Sequence, residues 1–484
     1  MHRHSHQKSE SVYAYAGELN DWWNTRKRID TKRPNSIAVL PFVNMSSDPD
    51  SEYFSDGIAE ELINNLSKIP GLKVVARTSS FQFKGKNDGL QRVGEMLRVS
   101  NVVEGSVRQA DGRLRITVRL VDVKNGFQLW SETYSRRMKD VFAIQEEIAR
   151  KVVSSLQVTL ASERSDAVQS PSLHAFHLYL KARYQASKRT QESLRKAVDL
   201  FQQAVSSDPS YASAHAGLAE AYALLASGGY ATSGLEELAS ESKTAANNAV
   251  QLEPSLGEAH AALALVQFRL DWNWQACERE FRIACELNPS FATAHHWFAL
   301  YLAAMGRSEE ALVMIGRAQN LDPLSLIIAT AAARVMHFGK QYDAAIAQCQ
   351  RVLDMEPHFA EAHLDLGMAY LEKGETDNAI QHLKKAAELS PERILVLALL
   401  GHAYGRAGNK EAAIEILQKL ESMSFHRALV LTGLGRTPQA IEQLERAVHK
   451  RSSPVVYLKV EPIWATLRAH LRFKKLLRTL QLTK

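Results

Sequence analysis

Four histidines stand at matching places in a repeated context, and imidazole is a common metal ligand. His215, His260, His295 and His363 each follow an alanine: Ala214, Ala259, Ala294 and Ala362. Such a column invites a zinc hypothesis. Two features oppose it. Neighbouring helical units stack ~10 Å apart, whereas the ligands of one zinc sit ~2 Å from it. The column is also broken at Ala329. The sequence therefore favours a packing role for these rings, and no metal residue is assigned.

Other reactive groups lead no further. Asp56, Glu60 and Glu61 could serve acid–base chemistry, but they lie near a helix start, where acids are favoured by ~0.3–1 kcal/mol each. Gly85-Lys86 lacks the frame of a phosphate loop. Gly105-Ser106 lacks the second glycine of a nucleophile elbow. HExxH, kinase and cyclase signatures are absent. Cys277 and Cys285, eight residues apart on one helix, lie ~12 Å from each other, too far for a disulfide. The chain is read as non-enzymatic, with no catalytic or cofactor-binding residues and no cofactor.

The elements that hold these groups are set by a proline ladder. Pro209, Pro254, Pro289, Pro323, Pro357 and Pro391 are separated by 45, 35, 34, 34 and 34 residues. Proline stops a helix, because it has no N–H and restricts its predecessor. Between the prolines, small and large residues recur. Leu366-Gly367, Tyr370, Ala379, Leu383 and Ala386 make the clearest unit; Leu400-Gly401, Tyr404, Ala413 and Leu417 repeat it. Ala311, Ala318, Ala333, Ala345 and Cys349 mark earlier ones. Small residues let antiparallel helices approach, and large ones fill the gaps between pairs.

This pattern resembles the tetratricopeptide repeat. It covers residues 172–453 in about eight helix pairs, with an insertion near Gly228-Gly229-Tyr230 and a missing proline near Phe425. The helix over 426–435 is expected to be short. The resemblance implies a solenoid whose concave side holds a protein or peptide. The first-helix residues that packing leaves over, His296, Arg334, His337, Glu361, Met368 and His402, are the candidate groove. Residues 454–484 are expected to cap the array, with an amphipathic helix from Trp464 to Leu480.

Residues 36–160 have another rhythm. Strands are expected at 36–42, 72–76, 102–109, 113–122 and 127–135, and helices at 53–68, 90–98 and 141–160. Asp111-Gly112 signals a hairpin. That order implies an α/β domain, a mixed sheet with helices. Ile37–Phe42, Phe54–Leu62, Val103–Arg108 and Leu129–Tyr134 make it similar to the TolB amino-terminal-like domain, which often precedes tetratricopeptide repeats in bacterial regulators. Residues 1–35 are basic and aromatic. Val12-Tyr-Ala-Tyr15, Asp21-Trp22-Trp23 and Arg26-Lys27-Arg28 resemble the end of an excisionase-type winged helix-turn-helix, without its recognition helix.

Charge narrows the partners. The net charge is +6, with +8 on residues 450–484 and −2 on the rest. A basic tail can meet phosphates or be a solvated helix face. No signal-peptide core and no membrane-length apolar run are seen. The expectation is a cytoplasmic scaffold or adaptor of bacterial signalling or transcriptional regulation, touching nucleic acid at most weakly and without sequence preference. The alternative is a truncated DNA-binding transcriptional regulator with a TolB-like and tetratricopeptide sensor region.

Overall fold

The fully apolar run after Ser36 becomes an interior strand of a sheet. The structure is a computed structural model that describes residues 2–6, 9–13, 35–46, 51–86, 88–110, 112–156, 171–227 and 235–483. Near the start, β1 (His2–His6) and β2 (Ser9–Tyr13) pair antiparallel. The aromatic-basic stretch over 14–34 lies outside the described residues, as does the insertion at 228–234.

Strand β3 (Ser36–Val39) is buried along its whole length, as a strand covered on both faces must be. It pairs in parallel with β5 (Lys73–Val74) and β6 (Asn101–Ala110). A short β4 (Val43–Asn44) also runs parallel to β6. Antiparallel β7 (Arg113–Asp122) and β8 (Gln128–Arg137) complete the order β5-β3-β6-β7-β8. The β6–β7 turn uses Gly112 at φ +68, open to a residue without a Cβ. In the next turn the Asp122 carboxylate accepts from Lys124 N–H at 2.8 Å and Asn125 N–H at 3.2 Å.

Side-chain alternation fixes the layers. Leu114, Ile116, Val118 and Leu120 of β7 point to a core shared with helices α1 (Glu52–Ser67) and α4 (Val141–Ser155). The other face is covered only in part. There α2 (Arg77–Ser80) leads through Phe83 to α3 (Leu90–Leu97), whose Val93 and Leu97 pack on Ala38 and Val102.

Eight antiparallel helix pairs follow among the described residues, from repeat 1 (Leu173–Ser187 and Gln191–Ser207) to repeat 8 (Ser424–Gly433 and Thr437–His449). The second helices bury one stripe, such as Ala311, Ile315 and Ala318 in Ser308–Leu321. The first helices are enclosed on several sides. In Ala292–Ala304 of repeat 4 every residue except Thr293 is buried, the mark of a helix with neighbours all round. The first helix of repeat 8 is ten residues long. There Gly405 and Gly433 let the first helices of repeats 7 and 8 touch: a Cβ on Gly405 would lie 2.6 Å from the Gly433 backbone.

The histidine column has a specific task. The Nε2–H of His215, His260, His295 and His363 donates to the carbonyl of the ladder proline six residues earlier, at 2.9 to 3.1 Å. Each ring therefore ties its first helix to the preceding inter-repeat loop.

Two of those loops also hold the α/β domain. Ser290 accepts from Val74 N–H and donates to the Leu72 carbonyl. Ala76 N–H donates to the Leu321 carbonyl at 2.8 Å. Ser79 donates to Asp322 at 2.5 Å and accepts from Leu324 N–H. Ser290 and Leu324 stand one position after Pro289 and Pro323, at the same place in successive repeats. The sheet edge at β5 is thereby covered, while among the described residues no strand pairs with the outer edge of β8.

Candidate protein-binding groove

The first helices carry the side chains that packing leaves over, but the structure does not leave their surface empty. The chain after repeat 8 folds back along the array. It makes two 3-10 turns, Ser453–Tyr457 and Pro462–Leu467, and only then a helix, Leu471–Thr479. This corrects the single helix expected over Trp464–Leu480. Ile463, Trp464 and Leu467 are all drawn into the core, which suits a tight turn, and the His470 ring accepts from Arg472 N–H to start the helix.

The returning segment is seated by named contacts. The first helix of repeat 3 (Gly257–Val266) runs into a π-helical turn, Gln267–Asp271, and Trp272 follows at φ +59. Such a turn turns carbonyls away from the regular ladder. Arg451 donates to two of them, Leu270 at 3.1 Å and Asp271 at 3.0 Å, with its guanidinium over the Trp272 ring. Lys459 donates to the Met305 carbonyl of repeat 4 at 2.8 Å. Tyr457 stacks on Phe338 of repeat 5 and meets Phe268 edge-on. Trp464 lies edge-on to Phe425 of repeat 8. Trp274 N–H donates to the Leu480 carbonyl at 2.7 Å. The segment thus reaches from repeat 3 to repeat 8.

The six candidate residues can now be placed. His337 is 3% exposed and donates to Glu461 of the returning segment at 3.0 Å. Burial opposes its charge, yet the adjacent Glu461 carboxylate raises its pKa above the ordinary value. His296 is buried, and burial pushes its pKa down to about 3. His402 is buried too, with its pKa pushed down to about 4, and donates to the Leu429 carbonyl at 2.9 Å. These three are not open to a partner, contrary to the expectation: the returning segment covers His337, the close approach of repeats 7 and 8 covers His402, and His296 lies in the enclosed first helix of repeat 4. Arg334 pairs with Asp365 at 2.6 Å across repeats 5 and 6. Glu361 pairs with Arg393 at 2.8 Å. Met368 is half-buried against the core.

The sequence reading missed Arg451, Tyr457, Lys459, Glu461 and Trp464. A signal was present: Pro454 and Pro462 forbid a long helix there, and the large apolar residues around them do not suit a solvated tail.

The other functional surface is the seam with the α/β domain. Glu60 is 5% exposed and lies 2.7 Å from Arg183 of repeat 1 and 2.9 Å from Arg77. Burial alone would raise its pKa, but the two guanidiniums outweigh it and lower it. Burial and the Glu60 charge push neighbouring Glu61 up to about 7. Glu61, Lys68, Tyr179 and Arg183 border a cavity of about 50 Å³, room for a water rather than a ligand of drug size.

Comparison with known families fits both halves. Residues 339–394 and 370–423 match two tetratricopeptide-repeat families. The array is a tetratricopeptide-repeat solenoid. Residues 32–151 match the family described as "HilA/YgeH-like transcriptional regulator, second domain". A HilA/YgeH-like regulator domain therefore precedes the repeats. Among curated proteins, the chain is 45% identical over 151 residues to "Putative adenylate cyclase 3" of Rhizobium meliloti (strain 1021), covering 31% of this chain and 26% of that protein. It is 31% identical over 125 residues to BBSome complex member BBS4 of Bos taurus, covering 26% and 24%. The chain thus spans about a quarter of the length of these relatives. Among solved structures, the human IFIT1 dimer with PPP-AAAA aligns at 17% identity and TM-score 0.44, over 71% of this chain and 87% of that one. The APC/C hetero-tetramer Cut9-Hcn1 aligns at 16% and 0.44, over 69% and 59%. No helix among the described residues is long and apolar enough to cross a membrane.

Proposed function

We propose that this chain is a non-enzymatic protein-binding scaffold of bacterial signalling or transcriptional regulation, acting in the cytoplasm, whose repeat groove is filled in cis by its own residues 451–482. One observation carries the reading: the inner side of the array already holds a polypeptide. It does so through backbone carbonyls, an ion pair and aromatic contacts, the chemistry by which a partner peptide would be held. A partner would displace the segment or engage the ion-paired rim, where Arg334, Glu361 and Met368 remain part-exposed. The likeness of residues 36–160 to a TolB amino-terminal-like domain remains our own reading of its motifs. The activity in the name of the Rhizobium relative is not carried over, since a quarter of that protein is spanned.

A labelled peptide of residues 451–470 tests the reading. The variant Glu461→Ala/Trp464→Ala loosens the resident segment and should bind the peptide at least about tenfold more tightly than the wild type, a shift of roughly 1.4 kcal/mol. Equal binding by the two proteins, or none by either, would remove the groove from consideration.

A further inference from the structure

Four arginines share one face of the sheet, and among the described residues no acid neutralises them. Along β7 the buried residues Leu114, Ile116 and Val118 alternate with Arg113, Arg115, Thr117 and Arg119 on the opposite face. The register puts Arg108 of β6 directly across from Arg115, and Arg137 of β8 directly across from Arg113. All four are exposed. Glu104, the acid on the same face, is committed to Arg119 at 3.0 Å. Among the described residues no acid pairs with Arg108, Arg113, Arg115 or Arg137. Cross-strand partners lie ~5 Å apart and next-but-one residues ~7 Å apart, so the four guanidiniums form one compact patch. Like charges placed directly opposite destabilise a ladder. An anion from outside would relieve that repulsion.

The surroundings say which anion. Ser106, Thr117, Thr133 and Ser135 share the face, so hydroxyl donors lie beside the guanidiniums. Guanidinium forks and hydroxyls together suit phosphate oxygens. Among the described residues the exposed apolar side chains near this face lie at its ends, away from the four arginines: Val43 on β4 and Met45 just after it, and Phe127 and Leu129 where β8 begins. A regularly spaced, basic and hydroxyl-rich surface matches a backbone of repeating phosphates. We infer that the β6–β7–β8 face is a docking surface for the phosphate backbone of a nucleic-acid duplex, engaged without reading its bases. This rests on the α/β domain alone and is independent of the groove.

The test uses the full chain and a fluorescent mixed-sequence DNA duplex of about 20 base pairs, with anisotropy read from about 50 to about 300 mM NaCl. Four phosphate contacts predict a slope of log K against log salt near −3.6. Arg113→Glu/Arg115→Glu should weaken binding at least about tenfold and make the slope shallower by about 2. Lys474→Glu/Lys475→Glu, on the exposed terminal helix, should leave both unchanged. The sheet residues are solvent-facing, and an unchanged circular-dichroism melt verifies folding. Wild-type binding by the sheet variant overturns the inference, as does loss only in the terminal-helix variant. Competition by polyglutamate at equal charge concentration also overturns it, because the surface would then take acidic protein.

Discussion

The link between His337 and Glu461 joins the array to the segment that fills it, and its protonation sets when the link holds. The pKa of His337 is raised in the folded protein. Its contribution to stability is therefore fully present below the unfolded value of about 6.5 and is lost as pH rises through the folded value. His337→Gln should cost about 1–3 kcal/mol near pH 5.5. The gap to wild type should narrow near pH 9, read from urea midpoints at both pH values; a gap independent of pH would contradict the ion pair. Periodicity could locate His337, His296 and His402 on first helices. It could not show that they are buried: the partners of His402 and His337, Leu429 and Glu461, lie more than 20 and more than 100 positions away. The proline-linked histidines were better exposed by the sequence: their Ala-His context recurs, and only the acceptor, a carbonyl six residues back, needed coordinates.

Elements meet at the seam as well as in the groove. Helix α1 packs so closely on repeat 1 that a Cβ on Gly57 would lie 2.4 Å from Leu180. Beside that contact, Glu60 joins Arg183 and Arg77. Glu60→Gln leaves the guanidiniums without their carboxylate and should lower stability by about 2 to 4 kcal/mol at pH 7. Because the Glu60 pKa is lowered on folding, its contribution is present above the unfolded value of about 4.3 and is lost as pH falls through the folded one. Urea midpoints that coincide at pH 7 would show that the seam does not use this pair. The seam also explains why some strand boundaries were hard to read. The strand expected at 72–76 yields only Lys73–Val74 in the sheet, since Ala76 N–H turns to the Leu321 carbonyl at the end of the second helix of repeat 4. By contrast β7, whose alternation is complete and whose turn carries its glycine, runs over Arg113–Asp122, as its pattern indicates.

At the scale of the molecule, one period organises two interfaces. The proline loops separate the repeats, and those after repeats 3 and 4 also hold the α/β domain. The first helices build the array's core and enclose the returning segment. The described residues leave the basic sheet face exposed. Hydrogen–deuterium exchange of the full chain reads whether residues 453–467 are seated in the array. A seated segment should exchange its amides as slowly as the enclosed first helix Ala292–Ala304. Exchange as fast as that of an unstructured tail would contradict it.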